Sequence, residues 1–331
     1  MENEKGNPSL SSHGNVEELL SLHPLVTGKV VLRTGSIEEL CKISYRTVIL
    51  RQGGLYFTGK SGMGKTLALE YLAGYLCERM PKLRVVLNDG RYSKFPSRRA
   101  FYKFYLNSIG DERTSGETAD LAIRLIRNFV DMARASGLNM IVLLIDEAQQ
   151  MSFEDFDFLK DVGNQMARDG ANLIPIFMAQ SPEFTTVVDK IRSSGRVDLI
   201  SRFVLRHNHF AGFTTAAQLE NLFMKIDSEV WHEIPGVTWT EFFCEEAFRS
   251  GFRLANHAEE MFAVLLKETV DKKVEFPARQ IFDALKEFLV DLSDSEFAGF
   301  EFDVQIWKNA VKKSAMNEIL IQNKLNEPTK K

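Results

Sequence analysis

Cysteine is scarce. The 331 residues contain three, Cys41, Cys77 and Cys244, with no C-x-x-C pairing. That excludes a disulfide-stapled scaffold and a cysteine zinc site, and it fits a reducing cytoplasm. No apolar run approaches the roughly 20 residues of a membrane span. The polar opening MENEKGNPSLSSHG lacks the apolar region of a secretory signal. A soluble, cytoplasmic protein that does not engage a membrane is expected. Net charge is only −4, so no whole-chain attraction to nucleic acid is implied, although a local basic patch is compatible with it. Histidine is sparse too. His207 and His209 fall on one side of a strand but lack a third ligand, and His23, His232 and His257 are isolated. There is no internal repeat and no Ser-His-Asp or Cys-His arrangement.

What is present is a globular composition, 44% apolar, and an alternation of strand and helix signals. Residues 54–58, 83–88, 140–145 and 173–179 read as strands, with 204–209 as a further one. Helical spacing marks 36–46, 66–79, 119–135 and 153–167. Pro175 within 173–179 predicts a bulge or an edge-like end. Strands apolar on both faces imply a parallel sheet covered by helices, an α/β fold. After about residue 213 the strand signal fades and helical spacing takes over. The expected domains are a flexible segment 1–25, an α/β nucleotide-binding domain 26–213, a small all-helical lid 214–315 and a tail 316–331.

Gly59-Lys60-Ser61-Gly62-Met63-Gly64-Lys65-Thr66 fits G-x-x-x-x-G-K-[ST], with a strand before it and a helix after. Glycines let backbone N–H groups turn inward around phosphates, and the following helix aims its positive end at them. Lys65 reaches the β- and γ-phosphates of ATP, Thr66 binds Mg²⁺ through its hydroxyl, and Leu67 completes the nucleotide contact set. Leu143-Leu144-Ile145-Asp146-Glu147 is the expected second half. An apolar strand delivers Asp146 to Mg²⁺ and Glu147 to the attacking water. An acid pair favours hydrolysis over storage of the nucleotide.

The segment GRYSKFPSRRAFYKFYL, residues 90–106, carries Arg91, Lys94, Arg98, Arg99 and Lys103 and no acid. Pro96-Ser97 marks a helix start. On that helix Phe101, Phe104, Tyr105 and Ser108 share one face, Arg99 and Lys103 the opposite one, and Arg98 flanks it. Repeated around a ring or helix of subunits, such a strip suits a duplex phosphate backbone without sequence preference. A solvated basic face is the plainer alternative.

These features resemble the AAA+ ATPases, and the helical C-terminal region resembles their lid. Matched to that family, Gln180-Ser181 occupies the position of the residue that senses the γ-phosphate. Ser201-Arg202-Phe203 looks like the segment that offers an arginine finger to a neighbour's ATP, with Arg196 and Arg206 as competitors. Gly251-Phe252-Arg253 resembles the lid motif whose arginine touches the phosphates. Within AAA+, the stretches IVLLIDEAQQM, FLKDVGNQMARDGANLIPIFMAQSPEF and DLISRFVLRHNHFAGF look like the TnsC/TniB branch, over roughly residues 25–270. In that branch Ser-Arg-Phe opens the last strand. The departure is Gln180-Ser181, where the branch often has Gly-Thr. The resemblance implies an ATP-dependent regulator of transposition. Such proteins polymerise as rings or filaments on double-stranded DNA and link a target selector, in some systems a CRISPR-guided complex, to transposase subunits. Hydrolysis dismantles the polymer. The rivals are a helicase-loader or origin-type ATPase, a signalling NTPase that binds only proteins, and a small-molecule kinase.

Overall fold

The computed structural model of the chain describes residues 16–28, 31–90, 95–269, 274–294 and 302–325. The expectations placed on residues 1–15, on Arg91 and Lys94, and on the final NEPTKK lie outside these. The chain divides into two compact units. One is Ser36–Ala211, and the other joins Gly212–Leu325 with the described residues before Ser36.

The first unit is built on five parallel strands, β1 (Leu55–Gly59), β2 (Arg84–Asp89), β3 (Met140–Asp146), β4 (Asn172–Gln180) and β5 (Arg206–His209), in the order β2-β3-β4-β1-β5. Every residue of β1 and β3 is buried, which explains why both read as unbroken apolar runs. From β3, the alternate residues Ile141, Leu143 and Ile145 join a core with Leu121, Leu125 and Phe129 of helix Thr118–Ala135 and Phe156, Leu159 and Val162 of helix Phe153–Arg168. Helix Lys65–Arg79 packs over β2, β3 and β4. Each fully buried Leu, Ile or Phe contributes about 1.5–3 kcal/mol.

Pro175 lies in a strand flanked on both sides, yet the edge-like end holds locally. The β3–β4 register runs unbroken through Leu143↔Pro175, and pairing with β1 starts only at Leu55↔Ile176. A proline is tolerated there because one of the two neighbours has not yet begun.

One local expectation is overturned. Ser201-Arg202-Phe203 does not open the last strand; it forms the final turn of helix Val197–Phe203. Leu199 and Phe203, four residues apart, are buried together while Arg202 is exposed. The Val204 N–H donates to the Ile200 carbonyl at 3.1 Å. The strand proper begins at Arg206.

The second unit is helical, from Ala216–Ser228 to Met316–Leu325. Asp227, buried, ties three segments together. It accepts from Thr240 Oγ1 at 2.6 Å, Leu254 N at 3.2 Å and Ala255 N at 3.0 Å. Residues expected to be flexible or a tail take part in this unit. Helices Val16–Leu22 and Pro24–Thr27 fall within 1–25 and just beyond it, and His23 and Leu25 are buried. Met316–Leu325 is a helix with Met316 in the core. Polar flanking composition hid these anchors. No helix among the described residues is long and apolar enough to cross a membrane.

Candidate nucleotide site and basic segment

Parallel strands deliver their carboxyl ends to one edge, the place where open α/β sheets bind ligands. The register sets Gly59 of β1 beside Gln180 of β4, and Asp146 ends β3. The loop that follows Gly59 turns through Gly62 at φ 81° and Gly64 at φ 85°, values that a side chain would strain. It opens directly into the 15-residue helix Lys65–Arg79, whose free N–H groups favour anionic phosphate. Met63 is buried and anchors the loop, while Ser61 and Leu67 are exposed.

The Thr66 hydroxyl donates to Asp146 Oδ2 at 2.6 Å, and the Glu147 N–H donates to Asp146 Oδ1 at 2.8 Å. A hydroxyl and a carboxylate in contact beside a phosphate cradle fit Mg²⁺, which takes one or two protein oxygens and completes its shell with phosphate and water. Among the described residues no three His, Cys, Asp or Glu side chains converge as an all-protein metal cage. Lys65 is buried and its Nζ donates to the Lys60 carbonyl at 2.9 Å. Burial lowers its pKa, opposed by the negative charges of Glu147, Asp146 and Glu183. Glu183 is therefore a third acid that acts on this lysine, one that sequence reasoning missed. It follows Ser181-Pro182 in the stretch QSPEF. Gln180 donates from Nε2 to Glu183 Oε1 at 3.2 Å, and the Ser181 N–H donates to the Gly59 carbonyl at 3.2 Å.

Glu147 has φ 48°, the left-handed region that non-glycine residues seldom occupy. Its carboxylate accepts a hydrogen bond from Gln149 Nε2, and Gln149 Oε1 accepts from the Gln180 N–H at 2.9 Å. Gln149 was part of a quoted motif but carried no role; only its position between two strand ends gives it one.

The three arginines competing for the finger role are in different states. Arg196 is held by Asp157 and Asp198, each at 2.8 Å. Arg206 donates to Gln52 and to the Gly53 carbonyl, the latter at 2.7 Å. Arg202 is exposed and makes no ion pair or side-chain hydrogen bond among the described residues. Arg253 of the helical unit lies over the Phe248 ring, 3.5 Å from its centroid, and donates to the Phe248 and Phe252 carbonyls at 2.7 and 2.6 Å.

The basic segment forms helix Arg98–Ser108, capped by Ser97, whose hydroxyl accepts from Ala100 N at 3.2 Å. Its buried stripe is Phe101, Tyr102, Tyr105 and Leu106; Phe104 is half-buried and Ser108 exposed, contrary to the expected face. Tyr102 and Leu106 meet the core because helix Thr118–Ala135 covers that side. Arg98 pairs with Asp161 at 2.8 Å and sits 4.9 Å from the centre of the Phe158 ring. Arg99 donates to the Gly116 carbonyl. Lys103 is half-buried and has no charged partner among the described residues. His207 stacks on Tyr56, and its Nε2 lies 2.7 Å from Thr58 Oγ1.

Residues 49–188 match the AAA domain family. No curated protein matches the sequence. Among solved structures, Cdc6p from Pyrobaculum aerophilum is similar at 13% identity and TM-score 0.50, over 80% of this chain and 64% of that one. The chain thus spans less than two thirds of that relative. Drosophila ORC bound to DNA is similar at 15% identity and TM-score 0.51, over 95% of this chain and 69% of that one. The chain is similar to AAA domains over 49–188 and has the AAA+ P-loop fold, a five-stranded parallel sheet covered by helices and followed by C-terminal helices.

Proposed function

We propose that this chain is an ATPase that assembles with copies of itself on double-stranded DNA and regulates transposition. It would mark a target site and link the target selector, a protein or a CRISPR-guided complex, to the transposase. The observation that carries the hydrolytic part is the Thr66–Asp146 hydrogen bond, with Glu147 next in the chain, beside a glycine-rich loop. In this reading the loop N–H groups and Lys65 hold the ATP phosphates. Mg²⁺, when bound at Thr66 and Asp146, supplies positive charge to the phosphate oxygens. Glu147 takes a proton from the attacking water as its oxygen bonds to the γ-phosphorus and the bond to the ADP oxygen breaks. Gln180 or Ser181 senses the γ-phosphate, and Arg253 is the lid arginine.

Arg202 is the arginine offered to a neighbouring copy. It is the unpaired member of the three, and it stands between Val197 and Leu205, apolar side chains that are 71% and 57% exposed. Exposed apolar groups beside a free guanidinium suit a subunit boundary. A finger supplied in trans makes turnover depend on assembly.

Contact with DNA is assigned to Arg91, Lys94 and Lys103. Arg98 and Arg99 belong to the same strip, but their internal partners weaken their share. A solved neighbour of the same fold is bound to DNA. The role in transposition rests on the TnsC/TniB resemblance. The origin-type or helicase-loader alternative rests on the two solved neighbours. Electron microscopy on linear duplex DNA with a slowly hydrolysed ATP analogue tests the shared core of both. Rings or filaments that require DNA and nucleotide are expected. Monomers, or assemblies indifferent to DNA, would overturn the reading in favour of a signalling ATPase. Capture of transposase rather than helicase by the assemblies separates the two DNA readings.

A further inference from the structure

Glu147 is constrained from two sides. On the main-chain side, Gly90, just past β2, donates its N–H to the Asp146 carbonyl at 2.5 Å. A Cβ on Gly90 would sit 2.2 Å from the Glu147 carbonyl oxygen, so any other residue would displace the turn that carries the acid. On the side-chain side stands the amide of Gln149. A backbone N–H can only donate, so the Gln149 atom facing the Gln180 N–H is its oxygen. That leaves the amide NH₂ to face the Glu147 carboxylate, where it donates. Both contacts therefore agree on one orientation of the amide.

From this we infer that Gln149 is a positioning residue: it bridges the end of β4 to the Glu147 carboxylate and holds that carboxylate in place for the attacking water. The inference rests on the reading of Glu147 as the proton acceptor. The donated hydrogen bond restricts the carboxylate to one of its rotamers. Because the other end of the same amide is bonded to the last residue of β4, a shift of that strand end moves Glu147 as well. Gln180, whose side chain meets Glu183, thereby joins the same chain of contacts.

A purely structural role is separable by chemistry. Gln149→Glu keeps an oxygen for the Gln180 N–H but replaces the donor to Glu147 with a second carboxylate. It should lower kcat at least as far as Gln149→Asn does, with KM for ATP within about twofold. Gln149→Asn is too short to span both partners and adds no charge. It should lower kcat about 10-fold, short of the 10²–10⁴-fold that a general acid or base is worth, with KM for ATP within about twofold.

ATPase assays on assembled protein test this, with fluorescent-nucleotide affinity and melting temperature measured on each variant and Glu147→Gln run alongside. Turnover by Glu147→Gln at the wild-type rate overturns both the base assignment and this inference. An inactive Glu147→Gln beside Gln149→Asn at wild-type kcat overturns the inference alone. So does Gln149→Glu at wild-type kcat, or a loss in KM and nucleotide affinity that parallels the loss in kcat.

Discussion

The carboxyl edge of the sheet and helix Arg98–Ser108 both gather charge, and they treat it in opposite ways. At the edge, acids and a lysine converge, and their partners are the site's own members: Thr66 on Asp146, Gln149 on Glu147, and the nearby acids acting on Lys65. On the helix, Arg98 is neutralised by Asp161 and Arg99 is bound to a carbonyl, which leaves Lys103. The three arginines near β5 repeat the contrast, with Arg196 and Arg206 occupied and Arg202 free. What the difference teaches is that inside the nucleotide site charges are held by one another, whereas outside it a cation is open to an external partner only where the fold leaves it without an internal one.

Mutation can break this comparison most sharply at the arginines. Arg202→Ala should lower ATP turnover about 10³-fold, the low end for a finger supplied in trans. Arg196→Ala, losing only an internal network, should keep most of its turnover. Steady-state ATPase assays above the assembly concentration decide this, and equal losses would erase the distinction between free and occupied arginines. Next in size, Glu147→Gln should lower kcat at least about 10²-fold while nucleotide affinity holds.

A third treatment of charge is to forbid it. His23 is buried among Trp231, Trp239, Phe242 and Phe243, and burial lowers its pKa to about 3. It stays neutral when folded but takes up a proton near pH 6.5 when unfolded. Stability should therefore be complete above pH 6.5 and fall by about 1.4 kcal/mol per pH unit below it, toward pH 3. His23→Phe should flatten that slope in denaturant titrations, and an unchanged slope would assign it to other groups.

The smallest effects are expected on the basic helix. Lys103→Glu should weaken duplex affinity by about tenfold and reduce the salt slope by about 1. Arg98→Ala should leave the slope alone and cost about 1 kcal/mol of stability or less, as a partly exposed ion pair does. A larger slope change for Arg98 than for Lys103 would reverse the assignment of the contact surface.

Much of the edge was legible because its information is local. Gly59 to Thr66 is one contiguous motif, and Asp146-Glu147 follows one apolar run; neither needs a distant partner to be recognised. The strands were legible for the same reason, since burial on both faces leaves consecutive aliphatics. Arg202 was named, but its setting was misread, because the resemblance puts Ser-Arg-Phe at the opening of the last strand and only the joint burial of Leu199 and Phe203 shows it to be the end of a helix. The basic helix was placed with its cations named, but their partners, Asp161 and Gly116, lie tens of residues away or in another loop. Residues 16–25 were read as flexible and 316–325 as part of a tail because their anchoring contacts are all made elsewhere in the chain.

The sequence by itself determined the phosphate loop, the acid pair and the parallel sheet, since each follows from short-range backbone and burial rules. Only the tertiary structure decided which of the three arginines lacks a side-chain partner, which described cation of the basic helix lacks an internal one, and that Gln149 reaches from Glu147 to the end of β4. Those outcomes depend on the distance between side chains far apart in the chain, and electrostatic and hydrogen-bond energies exist only at those distances.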